Sequence, residues 1–280
     1  MKKYILILLS FFAKRVISKH KPFVVWITWT VGKTTTTHFV YEFLRHMYGD
    51  EVYMSPYDYN WEYGLPLTIL QSKSPKKNVF LWLVVFAKAM VLEFSNKYPK
   101  YLVLEYWVDH IWEMKFMTDI VSPDIWIVLN VSKNHVTQFP DFNDYIDEKT
   151  LMGKLSKKLI YNLDDSELKS AFSKFAGVET ITYWIDSKAT ITAKNISWTI
   201  ESLSFEVEDG DKTLETSFNL IWEHQVYNIL WVFALWKMMW FDLEKSREIL
   251  WEFFDFTPLA ISNSTMKVFL SLHEVRFRFR

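Results

Sequence analysis

Val24-Val25-Trp26-Ile27-Thr28-Trp29-Thr30-Val31-Gly32-Lys33-Thr34-Thr35-Thr36-Thr37 is the stretch that decides how this chain folds. With Phe23, its first residues are apolar and β-branched, the pattern of a strand buried in a parallel sheet. From Thr34 to Met47 the spacing turns helical. Between the two stands Gly32-Lys33-Thr34, in the strand–loop–helix setting that a phosphate-binding loop requires. Backbone N–H groups of such a loop, and of the helix start behind it, cradle phosphate oxygens. Lys33 would neutralise charge on the β and γ phosphates, and the Thr34 hydroxyl would ligate Mg²⁺. Thr28, Trp29, Thr30, Val31, Gly32, Lys33, Thr34 and Thr35 are therefore the candidate nucleotide contacts.

Outward from the loop the alternation continues. Glu51–Met54 reads as a strand, and Asp58–Leu70 as a loop carrying Asn60, Gly64 and Pro66. Asn78–Phe94 reads as an apolar helix and Tyr101–Glu105 as a buried strand. Trp112–Val121 reads as a helix closed by Ser122-Pro123, and Asp124–Val131 as a strand. Asn143–Leu155, Lys158–Asn162 and Asp165–Phe175 add helix, strand and helix. The order predicts an α/β fold, a mainly parallel sheet with helices on both faces. Val178–Trp184, Thr190–Ile196, Leu203–Glu208 and Thr213–Leu220 then follow as consecutive strands and predict a small antiparallel β flap. Helices are expected near Glu223–Trp240 and Leu243–Phe254. The expected organisation is an N-terminal helix over 1–20, an ATP-binding domain over 21–258 and an unmatched tail over 259–280.

Composition narrows the classes. With 32 basic and 33 acidic residues, the net charge of −1 argues against a nucleic-acid surface. The absence of cysteine excludes disulfides, thiolate metal sites and a cysteine nucleophile. The apolar run Tyr4–Phe12 is too short to span a bilayer. It is followed by Ala13-Lys14-Arg15 rather than by a small-residue cleavage site. A helix packed on the domain is the expectation, with a membrane-surface anchor as the rival reading because Lys14, Arg15, Lys19 and Lys21 cluster behind the run.

One anomaly outweighs these. The chain has 6 glycines and 14 tryptophans, where glycine at about 7% would give roughly 20. With glycine read at Trp26 and Trp29, the opening stretch becomes V-V-G-I-T-G-T-V-G-K-T-T-T, which resembles the ATP loop of the Mur ligase family.

The resemblance extends along about residues 21–258. Leu104-Glu105-Tyr106-Trp107, continuing to Trp112-Glu113, resembles the family's L-E-M-G-(…)-G-D/E segment with glycine for both tryptophans. Pro123-Asp124-Ile125, then Asn130-Val131 and His135, resembles P-D-I-(…)-T-N-I-(…)-H. Glu148-Lys149 matches the later A/E-K, and Asn162-Leu163-Asp164-Asp165 an N-x-D-D strand end. Trp222-Glu223-His224-Gln225-Val226-Tyr227-Asn228 resembles G-x-H-N-x-x-N. Asn60-Trp61-Glu62-Tyr63-Gly64-Leu65-Pro66 resembles a substrate-side loop, most like that of the enzymes adding D-alanyl-D-alanine.

The resemblance implies roles. Lys33 binds the phosphates; Thr34 and Glu105 hold one Mg²⁺; His135 helps to hold a second. Lys149 matches a position that carries a carbamate supporting the metals. Asn228, with His224 nearby, contacts the adenosine part of ATP, and Asn60 and Gly64 face the substrate. Lys33, Lys149 and His135 are the catalytic candidates. On burial grounds alone, Glu105 at the end of an apolar strand needs a partner, and a metal is one. Lys149 by itself would read as a solvated helix lysine, and Asn228 as a backbone-bonding residue in an apolar helix.

The activity implied is ATP-dependent amide bond formation in peptidoglycan precursor synthesis, with a UDP-muramoyl peptide and a dipeptide as substrates. The resemblance also implies a cytoplasmic monomer with no nucleic-acid partner and no membrane contact. The rivals are a folylpolyglutamate synthase-like ligase and a non-catalytic ATP-binding fragment. The family's N-terminal substrate domain and C-terminal ligase domain find no counterpart in these residues. An indole supplies neither positive φ nor close backbone approach at the phosphate loop. The chain as written is therefore expected to be inactive. A gene that reads UGA as glycine, translated with UGA as tryptophan, would account for the exchange.

Overall fold

The computed structural model describes residues 2–241, apart from 29–32, 57–62, 77, 107–109, 131–138, 174–176, 186–187, 200–201 and 219–224. The expected helix over Leu243–Phe254 and the tail over 259–280 lie outside the described residues.

Among the described residues, nine strands form one sheet in the order β2-β3-β1-β4-β5-β6-β7-β8-β9. Its centre is β1 (Phe23–Thr28), flanked by β3 (Tyr101–Tyr106) and β4 (Ile125–Val128), with β2 (Val52–Met54) outside β3. All of these run parallel, as do β5 (Lys158–Asn162) and β6 (Glu179–Ile185). Asp124 ties β4 to its neighbours: Oδ2 accepts from Val24 N–H at 2.9 Å and Oδ1 from Lys157 Nζ at 2.6 Å.

Alternation along β1 divides the core. Val25 and Ile27 join one apolar cluster with α2 (Lys33–Tyr48) and α8 (Gln225–Met238). Val24 and Trp26 join the other, under α1 (Lys2–His20), α3 (Gly64–Ile69), α4 (Val79–Phe94), α5 (Glu113–Thr118), α6 (Phe142–Leu155) and α7 (Ser166–Phe172). Both faces of the sheet are thus covered, which is why its central strands are continuously apolar.

Two local readings differ. Gly64 and Pro66 mark a helix start rather than a loop: α3 occupies Gly64–Ile69, and proline is tolerated in a first turn whose N–H groups lack partners. The four strands read as a flap are also not one antiparallel unit. β6 pairs parallel with β5, and β7 (Ile191–Trp198) parallel with β6. Only β7–β8 and β8–β9 are antiparallel, with β8 at Leu203–Asp209 and β9 at Lys212–Phe218. The antiparallel part extends the main sheet edge.

The tryptophans sort into distinct environments. Trp240 follows α8 with φ +70. Phe241 N–H bonds Trp236 C=O at 3.0 Å, and Trp240 N–H bonds Lys237 C=O at 3.0 Å. This is the Schellman pattern, in which the left-handed residue after the helix is usually glycine. Trp112, before α5, has φ +79. The other described non-glycine residues with positive φ lie between +47 and +53, so the two tryptophans have the largest positive φ among them. Trp126, Trp231 and Trp236 are buried, and their indole N–H groups have no hydrogen-bond partner among the described residues. A buried tryptophan ordinarily finds one, as Trp82 does on Lys76 C=O at 3.3 Å.

Trp240 is 84% exposed, so its ring adds little packing. Trp240→Gly is expected to stabilise the fold by about 1 kcal/mol, the usual cost of holding a side chain in the left-handed region. Urea unfolding checks this. A loss of stability would mean that the stacking of Lys158 on the Trp240 ring, 4.9 Å from its centre, outweighs the backbone term.

Candidate functional site

The site lies at the carboxyl ends of β1, β3 and β4. From β1 the chain passes to the left of the sheet, and β4 lies to the right, so β1 flanks a topological switch point where open α/β sheets bind ligands. Thr28 closes β1, buried, in register with Tyr106 on β3 and Val128 on β4. Lys33 opens α2, with Thr34 and Thr35 in its first turn. A 16-residue helix thus begins five residues past the strand end, with its N-terminal N–H groups and positive dipole at that edge. Residues 29–32 lie outside the described residues, as do the side chains of Lys33, Thr34 and Thr35.

Glu105 is the next-to-last residue of β3, half-buried and in register with Ile27. It therefore sits on a strand adjacent to β1, at the edge where α2 begins. Asn130, two residues beyond β4, was not singled out as a site residue. Its Oδ1 is buried with no hydrogen-bond partner among the described residues, an acceptor left at this edge. The signal was a polar residue directly after an apolar strand, present in the quoted segment but assigned no role.

Lys149 lies on α6, its backbone described and its side chain not. Its neighbour Glu148 is buried and accepts the Met114 N–H at 2.8 Å, which fixes α6 against α5. Glu113, the first residue of α5, accepts His110 N–H at 3.0 Å and so ties the preceding loop to the helix start. Glu148→Ala leaves a buried N–H of α5 unpaired and is expected to cost about 1–3 kcal/mol in urea unfolding. Glu148→Gln keeps an acceptor and should recover most of it. Equal loss in both variants would show that charge, not the hydrogen bond, is what α5 requires.

Asn228 lies in the first turn of α8. That turn is tied to the end of β5, where Tyr227 Oη donates to Asp164 Oδ2 at 2.6 Å. Behind it, burial, with Tyr227, Asp164 and Asp165 nearby, holds the Tyr183 hydroxyl well above the usual phenol range, so it stays protonated. Asp165 caps α7 by accepting Glu167 N–H at 3.0 Å and Leu168 N–H at 3.1 Å. Gly64 begins α3 and is buried. Asn60, His135 and His224 lie outside the described residues. The described structure thus brings together Thr28, the start of α2 and Glu105, and leaves the other candidates' side-chain geometry open. Among the described residues no group of three His, Asp or Glu converges as a ready-made cation cage.

The profile of the Mur ligase middle domain matches residues 27–236, from within β1 into α8. The chain belongs to this Mur ligase family. The match runs through the loop and the Glu105 strand. A Mur ligase that adds 2,6-diaminopimelate, from Clostridium acetobutylicum, is 25% identical over 206 residues, covering 74% of this chain and 41% of that protein. The UDP-N-acetylmuramoyl-tripeptide–D-alanyl-D-alanine ligase of Borreliella burgdorferi is 25% identical over 207 residues, covering 73% of this chain and 39% of that one. Among solved structures, the MurF ligase of Thermotoga maritima, in complex with ADP, superposes with a TM-score of 0.64 at 21% identity, over 84% of this chain and 49% of that one. The chain therefore spans under half the length of these curated relatives and about half of that structure.

Proposed function

We propose that this Mur ligase domain binds ATP and activates the carboxylate of a UDP-muramoyl peptide for amide formation with D-alanyl-D-alanine. The observation that carries the proposal is one edge: the end of β1, the start of α2 and Glu105 on the adjacent strand. In this reading a carboxylate oxygen attacks the γ-phosphorus of ATP, the bond to ADP breaks, and an acyl phosphate forms. The amine then attacks the acyl carbon, loses a proton, and phosphate leaves with its electron pair.

Most of the protein's work is positioning and charge neutralisation. The loop and the α2 N-terminus hold the phosphates, and Lys33 offsets their charge. Thr34 and Glu105 are the oxygen donors that would hold Mg²⁺, an ion that takes few protein ligands and keeps waters. A half-buried carboxylate and a buried amide oxygen at this edge suit such a hard cation. Mg²⁺, when bound, neutralises charge that develops between the β and γ phosphates. His135 and a carbamylated Lys149 would support a second ion, and Asn228 with His224 the adenosine. Asn60 and Gly64 face the substrate. The native residue at positions 26, 29, 107, 112, 222 and 240 is glycine in this reading, as the backbone at 112 and 240 supports.

The D-alanyl-D-alanine assignment rests on the Asn60–Pro66 loop. The several diaminopimelate-adding relatives favour a second reading, in which the amine is diaminopimelate. The protein purified from its own cell separates them. ADP release that requires UDP-muramoyl-tripeptide plus D-alanyl-D-alanine supports the first; release with UDP-muramoyl-dipeptide plus diaminopimelate selects the second. Release with neither pair overturns both.

A further inference from the structure

We propose that α1 and α4 together form a docking face for an anionic membrane surface. This does not rest on the ligase reading. α1 packs on the domain through Leu9, Ala13 and Val16, all fully buried. Its opposite face carries Tyr4, Ile7, Leu8 and Phe11, an i, i+3, i+4, i+7 stripe that is exposed, with Tyr4 at 76%. The packed helix and the surface anchor, alternatives in the sequence, are two faces of one helix.

α4 repeats the arrangement. Trp82, Val85, Ala89 and Leu92 face the core. The other side presents Phe80, Leu83, Val84, Val91 and Phe94 to solvent, with Phe80 at 81% and Phe94 at 79% exposure. A helix apolar on every side is ordinarily buried, and this one is half uncovered. The two helices lie side by side in the same direction. Phe12 meets Phe86 with ring centres 6.1 Å apart, Arg15 pairs with Glu93, and Lys19 Nζ donates to Ser95 C=O at 2.6 Å. The two apolar stripes thus belong to one packed pair of helices, and exposed apolar side chains gathered in this way mark an interaction surface.

Charge identifies the occupant. Residues 1–21 hold six Lys and Arg and no Asp or Glu. Residues 73–97 hold five Lys and a single acid, Glu93, which is the one paired with Arg15. The remaining 234 residues carry 21 basic and 32 acidic side chains, so positive charge is concentrated in the two segments that carry α1 and α4, in an otherwise acidic chain. Exposed apolar side chains framed by lysine and arginine suit a bilayer surface with anionic headgroups, where the stems lie along the apolar layer and the charges reach phosphate. No helix of the described residues is long and apolar enough to cross a membrane, so the contact is one of lying on the surface.

The test is sedimentation of the full chain with unilamellar vesicles. Binding is expected to phosphatidylglycerol-containing vesicles and not to pure phosphatidylcholine, with release at high salt. Phe80→Glu/Phe94→Glu is expected to weaken binding at least about tenfold through lost insertion. Lys2→Glu/Lys3→Glu/Lys14→Glu should weaken it about a hundredfold or more through lost attraction to the headgroups. Lys14, Phe80 and Phe94 are exposed, and an unchanged circular dichroism melt confirms folding. Failure to sediment with anionic vesicles overturns the proposal. So does a concentration-dependent dimer by light scattering that Phe80→Glu/Phe94→Glu dissolves without any vesicle binding, since a second copy would then be the occupant.

Discussion

Glycine at positions 26 and 29 is expected to raise the affinity of this chain for Mg²⁺-ATP by at least about a hundredfold. A phosphate loop works through backbone N–H groups that approach the anion closely, and each charge-assisted hydrogen bond of this kind is worth about 1.5–3 kcal/mol. Losing two of them accounts for the factor. Position 29 follows directly on the end of β1, where any loop cradling phosphate must turn. Position 26 lies inside β1, its side chain in the cluster beneath α1 and opposite Trp126 on β4. Two adjacent indoles at the sheet centre set how closely the helices can lie and hence where the strand end stands. Calorimetric titration of both chains measures the difference. Equal affinities would show that the tryptophans do not obstruct the site.

The second large effect is the loss of that binding in the glycine-bearing chain on Lys33→Ala, by about ten- to a hundredfold, since one charge-assisted contact to phosphate is removed. Lys33 opens α2, so its substitution leaves the helix and the sheet core intact. Glu105→Gln should behave differently. It is expected to weaken ATP binding in the presence of Mg²⁺ while leaving metal-free nucleotide binding nearly unchanged. If Lys33→Ala leaves the titration unaltered, the loop is not the phosphate site.

The centre of the fold was legible because β1, its loop and α2 each follow a different local rule, and the rules meet in sequence. Pairing direction was less legible. β6 reads as a strand from its own residues, but nothing in them says which way its neighbour runs. The signal was α7: a helix between β5 and β6 is the crossover that parallel neighbours need. α3 was hidden by Gly64 and Pro66, residues that serve a loop and a helix start equally. At the candidate site, the place of Glu105 at the sheet edge could be read from a carboxylate ending an apolar strand. Lys149 could not, because a helix lysine has no local mark, and its setting depends on the tertiary bond from Met114 to Glu148. Trp112 and Trp240 show the converse. Their residue type argues for a core position, while the backbone around them has the conformation glycine adopts freely.

The central claim is that this Mur ligase domain has a working phosphate loop whose written form carries tryptophan where the cell places glycine. Peptide mapping of the protein isolated from its own cell tests it directly. Trypsin does not cut before Pro22, so it releases the loop as the single peptide His20–Lys33. The mass expected is that of a peptide with glycine at positions 26 and 29. A peptide with tryptophan at both would contradict the account.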